Sequence, residues 1–316
     1  MIGRESIEFV EVAPRDGFQS IDEAIPTAEK IAIVDGLLDA GFRRMEIGSF
    51  VNPKAVPQMA DIAELVGAFR QRTEARLAVL VPNARGAELA LENGCRDLVF
   101  VLSVSEAHNF KNVRQSVEDS LKSLASVAAT LGKGGEGSLR IDLATAFDCP
   151  FDGIVPVERL RRVFLSARGI APEAEFALCD TTGRADPLSV GARFAALVEE
   201  SPQTSWAFHG HDTFGMGVAN SFAAYAAGVR VVDAAAAGLG GCPFAPGASG
   251  NTAMEDLVFA FTQGGVETGV DLERLLDVAD RIARLPGAQT ESHLRKVPRE
   301  RVSQVLRAGD QERAVS

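Results

Sequence analysis

Short apolar runs recur along the chain, and most of them are separated by segments in which apolar residues follow helical spacing. The runs typical of strands are residues 7–12, 43–47, 76–81, 97–102, 139–143, 175–178, 205–208 and 229–234. The helical segments are residues 28–40, 61–70, 84–92, 116–129, 157–167, 187–199 and 214–226. Eight strands that alternate with helices require a parallel sheet, and eight repeats are the number that closes a (β/α)8 barrel.

An open, doubly wound α/β sheet is the rival fold, but no GxGxxG motif follows the first strand, so the barrel is favoured. Since no Pro/Ser-rich linker divides the sequence, we expect one catalytic domain over residues 1–316. Residues after about 265 are expected to form terminal helices and a tail, with fraying after about residue 308.

Composition narrows the class of protein. With 316 residues, of which 46% are hydrophobic, the chain can bury a large core. The net charge of -11 and the absence of a Lys/Arg cluster with interleaved aromatic residues argue against nucleic acid as a partner. Four cysteines without a CxxC motif fit a reduced compartment. No apolar stretch approaches the ~20 residues that span a bilayer, and the first residues do not resemble a signal peptide. We expect a cytoplasmic protein.

Polar side chains gather where the predicted strands end. In (β/α)8 barrels the chemistry takes place at this end, because the loops that follow the strands converge there. The residues concerned are Arg15 and Asp16 after the first strand, Glu46 in the second, Asp142 in the fifth, Asp180 closing the sixth, and His209 and His211 after the seventh. Their convergence predicts an active site.

His209 and His211 are two residues apart at a strand end, so both imidazoles point to the same side. They can ligate one divalent cation if oxygen donors come from elsewhere, or they can simply cap the strand end by hydrogen bonds to the backbone. Asp16 can supply an oxygen ligand. Asn251 can be a fourth ligand or the N-cap of the following helix.

Two further groups have both a chemical and a structural interpretation. The guanidinium of Arg15 can face an anionic or enolate oxygen, or it can pair with Asp16 to stabilise a turn. Cys242, in the glycine-rich segment 238–251, can be an acid/base group on a mobile loop or a small buried apolar residue. Glu46 and Asp180 can ligate a metal, accept a proton, orient Arg15 or form structural ion pairs. His108 and His293 are expected to be surface or internally hydrogen-bonded histidines.

Five segments taken together resemble the family of 3-hydroxy-3-methylglutaryl-CoA lyase, within the wider group of metal-dependent aldolase-lyase barrels. They are VEVAPRDGFQ at residues 10–19, EIGSF at 46–50, CDTTG at 179–183, HGHDT at 209–213 and GLGGCPFAPGASGN at 238–251. The match runs through nearly the whole chain in order, and its last motif is long and specific.

The resemblance implies a TIM barrel and retro-Claisen cleavage of a 3-hydroxy-3-methylglutaryl-CoA-like thioester to acetoacetate and acetyl-CoA, as in leucine degradation. Because barrels with extra terminal helices often dimerise, we also expect a homodimer. The resemblance further implies Mg²⁺ or Mn²⁺ and the following roles. The metal ligands would be Asp16, His209, His211 and Asn251; Arg15 would stabilise the enolate and Cys242 would protonate it. Asp180, His209 and Glu46 would handle the hydroxyl proton, while Arg15, Gln19, Asn112 and Arg140 would contact the acyl-CoA substrate.

The chain departs from the lyase pattern on the substrate side. Ser20-Ile21 stands where Asn-Glu is common, Ile47-Gly48 replaces two Thr, Ala144-Thr145 replaces Ser-Cys, and Ala177-Leu178-Cys179 replaces Ser-Leu-Gly. A related 3-hydroxyacyl-CoA, such as a citramalyl-CoA-like or longer branched 3-hydroxyglutaryl-CoA, is therefore the near alternative. An acetyl-CoA-condensing synthase and a barrel that only binds an acyl-CoA or a metal are the more distant ones.

Overall fold

The computed structural model describes residues 6–241 and 250–315 and forms a closed barrel of eight parallel strands. The barrel strands are β1 (Glu8–Glu11), β2 (Arg44–Ser49), β3 (Arg76–Leu80), β4 (Asp97–Ser103), β5 (Ser138–Ala144), β8 (Glu175–Asp180), β9 (Trp206–Gly210) and β10 (Val231–Ala234). Around the barrel they follow the order β1-β10-β9-β8-β5-β4-β3-β2, and Glu11 pairs with Met45 to close the ring.

Helices cover the outside of the barrel. They are α1 (Thr27–Asp39), α2 (Ile62–Ala68), α3 (Ala84–Glu92), α4 (Glu106–Val113), α5 (Val117–Lys133), α6 (Val157–Ile170), α7 (Pro187–Glu200), α8 (Gly217–Ala226), α9 (Met254–Gln263), α10 (Leu272–Ile282) and α11 (Arg299–Val315). A short hairpin of β6 (Asp148–Cys149) and β7 (Gly153–Ile154) follows β5. The predicted (β/α)8 barrel with additional C-terminal helices is confirmed.

Aromatic side chains form much of the layer between barrel and helices. Phe176 on β8 packs edge-on against Phe164 of α6, with ring centroids 5.0 Å apart, and Phe208 on β9 packs in the same way against Phe194 of α7 at 6.0 Å. All four rings are fully buried. Because successive strand residues face opposite sides, the neighbours of these rings point into the barrel.

The inside of the barrel is charged, whereas barrels of this type usually fill it with branched apolar side chains. Arg140 on β5 forms ion pairs with Asp142, Asp233 and Glu175, and Arg44 on β2 pairs with Glu175 from the other side. These side chains are largely buried. Buried ion pairs add little net stability, because desolvation offsets their attraction. Their concentration here therefore indicates a functional interior.

Two elements of the structure were not predicted from the sequence, and the C-terminal end of the last helix was predicted too early. Helix α4 and the β6–β7 hairpin were not predicted, and both follow barrel strands on the side where polar residues gather. Helix α11 continues to Val315, beyond the fraying expected after about residue 308. None of the helices in the described part of the chain is long and apolar enough to cross a membrane.

Candidate active site

Three side chains from two distant segments meet at the carboxyl end of the barrel. Asp16 lies in a π-helical turn, Ala13–Gly17, directly after β1, while His209 belongs to β9 and His211 follows that strand. Ligand atoms of Asp16, His209 and His211 all lie within 4.8 Å of one another. One carboxylate and two imidazoles at this spacing can hold one divalent cation.

Asn251 lies next to this cluster. Its Nδ2 donates a hydrogen bond to Asp16 Oδ2 at 2.9 Å, and its backbone bridges to His211. Its Oδ1 is buried and has no hydrogen-bond partner among residues 6–241 and 250–315, and the same is true of His211 Nδ1. A buried oxygen without a partner is costly unless a ligand satisfies it. The donor set therefore fits a divalent cation.

Glycines bring Asn251 to this place. A Cβ on Gly240 would lie 2.6 Å from Asn251 Nδ2, and a Cβ on Gly250 would lie 2.3 Å from the carbonyl carbon of Gly240. The two ends of the glycine-rich segment thus cross in backbone contact. This close approach requires glycine at both positions.

His209 is oriented from behind by an acid. Its Nδ1 lies 3.2 Å from Asp233 Oδ2, and Arg140 Nη1 donates to Asp233 Oδ1 at 2.9 Å. Burial acts to lower the pKa of His209, but the surrounding acids, Asp233 first and then Asp16 and Asp142, raise it above its ordinary value. Burial together with His209 lowers the pKa of His211 to about 4, so His211 is neutral at physiological pH. A carboxylate behind a ligating imidazole fixes its ring and strengthens it as a ligand.

Replacing Asp233 by Asn is expected to weaken Mn²⁺ binding by about 10–100-fold, because the loss of such an outer partner has that effect in other metal sites. Titration of the metal-free protein with Mn²⁺, followed by calorimetry, measures this. Unchanged Mn²⁺ affinity in a folded variant would show that Asp233 serves the structure of the barrel alone.

Arg15 is held in a fixed orientation next to the cluster. Its Nε donates to Glu46 Oε2 at 2.6 Å, and its Nη1 donates to Asp16 Oδ1. Burial acts to raise the pKa of Asp16, but Arg15, followed by the two histidines, lowers it well below its ordinary value. Asp16 is therefore an anion that can bind a cation. Burial also raises the pKa of Glu46.

Two buried glutamates, which the sequence did not single out, hold the turns that carry these groups. Glu11 Oε1 accepts hydrogen bonds from the amides of Ala13, at 2.7 Å, and Ala236, at 3.0 Å. Glu255 Oε2 accepts one from the amide of Ala237 at 3.0 Å. Glu11 thereby ties the start of the Arg15–Asp16 turn to the segment that leads into the glycine-rich loop. Burial raises the pKa of Glu11 to about 8 and that of Glu255 to about 7.

These two carboxyl groups should make the fold less stable as pH rises. Between the ordinary pKa of 4.5 and the raised value of about 8, the folded chain binds more protons at Glu11 than the unfolded chain does. We expect Glu11→Gln to flatten the decline of unfolding free energy in this range, by up to about 1.4 kcal/mol per pH unit. Urea unfolding at several pH values measures the slope. Parallel curves for the two proteins would contradict the expectation.

A cavity of about 500 Å³ opens beside the cluster. Its wall includes Arg15, Asp16, His209 and His211, together with Gln19 and Asn112, the latter two being predicted substrate contacts. The cavity thus brings three of the four predicted metal ligands and two predicted substrate residues together along one surface. A cavity of this size is typical of small-molecule sites.

Arg140 and Asp180, two further predicted site residues, do not line this cavity. Arg140 lies deeper in the barrel, where its guanidinium is occupied by three acids. The two oxygens of Asp180 accept hydrogen bonds from the amides of Arg184 and Ala185 at 3.1 Å. Cys242 lies outside the described residues.

Helix α4 supplies a part of the wall that sequence reasoning missed. His108 lies four residues before Asn112, so both face the cavity from one side of the helix. His108 is buried, and its Nδ1 lies 2.8 Å from Ser103 Oγ. Burial lowers the pKa of His108 to about 4. The expectation of an internally hydrogen-bonded histidine is met, but the position is a cavity wall. The Ser105 N-cap before an amphipathic segment was the available signal.

Known proteins show the same architecture along most of the chain. The sequence matches the family model described as HMGL-like over residues 6–282. An (R)-citramalyl-CoA lyase of Chloroflexus aurantiacus is 39% identical over a match that covers 90% of this chain and 92% of that protein. A hydroxymethylglutaryl-CoA lyase of Bacillus subtilis is also 39% identical, with 90% and 94% covered.

A solved structure agrees with this sequence comparison. The HMG-CoA lyase of Acinetobacter baumannii, in complex with coenzyme A and 3-methylmalate, superposes with a TM-score of 0.87 at 36% identity. The alignment covers 93% of this chain and 95% of that one.

Proposed function

The chain belongs to the HMGL-like family of divalent-metal-dependent carbon–carbon lyases, and on this premise we propose that it cleaves 3-hydroxy-3-methylglutaryl-CoA to acetoacetate and acetyl-CoA. The observation that carries the proposal is the cluster of Asp16, His209 and His211, with the open Oδ1 of Asn251 beside it, on the wall of a cavity that also contains Arg15.

Asp16, His209, His211 and Asn251 would hold Mg²⁺ or Mn²⁺, because both ions accept oxygen-containing mixed sites. When bound, such an ion polarises the substrate's hydroxyl and carbonyl oxygens as a Lewis acid. Asp233 keeps the His209 ring in the orientation that presents its other nitrogen to the cluster.

Arg15 has the charge and the position to stabilise the developing enolate of acetyl-CoA. Its guanidinium is fixed by Glu46 and Asp16, so little reorganisation is needed as negative charge forms. Cys242 would donate a proton to the enolate carbon. The glycine-rich segment that carries it would exclude water from the cavity. Gln19 and Asn112 would contact the acyl-CoA.

A specific observation supports a second substrate. The (R)-citramalyl-CoA lyase of Chloroflexus aurantiacus is as similar in sequence as the Bacillus subtilis hydroxymethylglutaryl-CoA lyase. In addition, Cys179 and Ala144, two of the departures from the lyase pattern, line the cavity. A citramalyl-CoA-like or longer branched 3-hydroxyglutaryl-CoA is therefore the second candidate substrate.

Acetyl-CoA release by the purified protein tests the proposal. With Mg²⁺ or Mn²⁺ present, 3-hydroxy-3-methylglutaryl-CoA and citramalyl-CoA are compared, with Cys242→Ala and Asp16→Ala as controls. Efficient cleavage of the first, lost in both variants, is expected. Cleavage of citramalyl-CoA alone would support the lyase mechanism but would show that the proposed substrate is wrong. Condensation of acetyl-CoA with a keto acid, without cleavage, would overturn the lyase proposal.

We place the protein in the cytoplasm as a homodimer, with residues 1–316 acting as one catalytic domain in a pathway such as leucine degradation. Sedimentation of the purified protein tests the dimer.

A further inference from the structure

We propose that Asp142, on β5, is the base that takes the proton of the substrate's hydroxyl group. The inference rests on the proposed lyase function and assigns one step of it. Asp142 is largely buried, and it lines the same cavity as Arg15, Asp16 and His209. It is not one of the candidate metal ligands.

The three residues that the family resemblance implies for this proton are poorly placed to accept it. Asp180 directs both oxygens to backbone amides and does not line the cavity. Glu46 does not line the cavity, because it borders a small separate pocket deeper in the barrel. The Nδ1 of His209 is hydrogen-bonded to Asp233. If a cation were bound at Nε2, neither ring nitrogen of His209 would have a lone pair free to accept a proton.

The environment of Asp142 suits a base. Arg140 Nε donates to its Oδ1 at 2.7 Å, while the terminal nitrogens of Arg140 are held by Asp233 and Glu175. Arg140 therefore fixes the carboxylate from below and cannot turn into the cavity. Among the residues described, Arg15 is the one Lys or Arg that lines the cavity, and two acids already engage it. The cavity side of Asp142 is left to the substrate.

The step is balanced in protons and electrons. The hydroxyl proton moves to the Asp142 carboxylate as the C3–O bond becomes a carbonyl. The electron pair of the breaking C2–C3 bond passes into the acetyl thioester, forming its enolate, which a separate donor protonates at carbon. The electron pair stays within the substrate, so no external oxidant or reductant is needed. When the products leave, Asp142 returns its proton to solvent and the separate donor takes one up, so both groups are regenerated.

Asp142→Asn is the decisive variant, because its amide oxygen can still accept from Arg140 while it can no longer take a proton. We expect kcat for acetyl-CoA release to fall by about 100-fold or more, the usual contribution of a positioned base. KM, the melting temperature and the affinity for Mn²⁺ should change little. Formate should restore part of the activity of Asp142→Ala.

Asp148→Asn is the matched control, because Asp148 is also a buried acid at this end of the barrel, yet it pairs with Arg184 and does not line the cavity. It should retain its kcat. Three results would overturn the inference. The first is a kcat for Asp142→Asn equal to that of the unmodified protein, and the second is an effect of this variant on KM or Mn²⁺ affinity alone. The third is a loss of kcat in Asp142→Ala that formate does not restore. If the unmodified protein releases no acetyl-CoA, the proposed function itself fails.

Discussion

Asp16→Asn is expected to lower the affinity for Mn²⁺ by more than about 100-fold, beyond the effect of losing an outer partner. Asn keeps the size of Asp16 and can still contact Asn251, but it removes the only carboxylate in the cluster of three. Cleavage below metal saturation should fall by more than about 1000-fold, since Lewis-acid stabilisation contributes several kcal/mol and each 1.36 kcal/mol is about tenfold.

Calorimetric Mn²⁺ titration and acetyl-CoA release measure the two effects of Asp16→Asn separately. A matched control is Asp212→Asn, since Asp212 follows His211 directly but receives a hydrogen bond from the Gly217 amide and lies outside the cluster. If Asp16→Asn and the control bind Mn²⁺ equally well, Asp16 is not a ligand. In that case the bond between Arg15 and Asp16 would be the whole role of this carboxylate.

The barrel could be predicted because its signal is repeated. Eight apolar runs, most of them separated by helical segments, leave few other folds. The predicted strand ends agree with the structure to within about two residues. Membership of the lyase family, predicted from five motifs, is confirmed by the match over residues 6–282. Helix α4 was missed because it is short and carries mixed polar residues.

The depth and direction of side chains could not be predicted. Arg140 lies two residues before Asp142 on β5, which at about 3.3 Å per residue puts it about 7 Å deeper in the barrel, away from the cavity. Cys179 pairs in register with His209, so Cys179 lines the cavity and the next residue, Asp180, faces away from it. One residue of register therefore decides which of two polar side chains meets the substrate.

Hydrogen bonds between segments distant in sequence could not be predicted for a different reason. Glu11 and Ala236 are 225 residues apart in sequence, and nothing local marks Glu11 as the acceptor for both turns of the site. An acid at the end of a strand has the same local pattern whether it ligates, catalyses or holds a turn. Only the closed barrel separates these roles, because it brings β1 beside β10.

Arg15 owes its orientation to the shape of its guanidinium. Nε donates to Glu46 on β2, while Nη1 donates to Asp16 in the same turn as Arg15. One planar group therefore makes two hydrogen bonds in different directions. Lysine carries the same charge at one point and cannot make both contacts at once. The variant Arg15→Lys therefore separates the effect of charge from that of orientation.

We expect Arg15→Lys to lower kcat by about 100-fold to 1000-fold, the usual effect of removing one fixed donor from a developing oxyanion. KM should change less, because the enolate charge exists only during cleavage. Arg15→Met should lower kcat further, since it also removes the charge. Steady-state acetyl-CoA release with each variant at saturating Mn²⁺ measures the difference. Equal kcat values for the unmodified protein and Arg15→Lys would show that Arg15 acts through its charge alone. A fall in Mn²⁺ affinity as large as the fall in kcat would show instead that Arg15 acts by positioning Asp16.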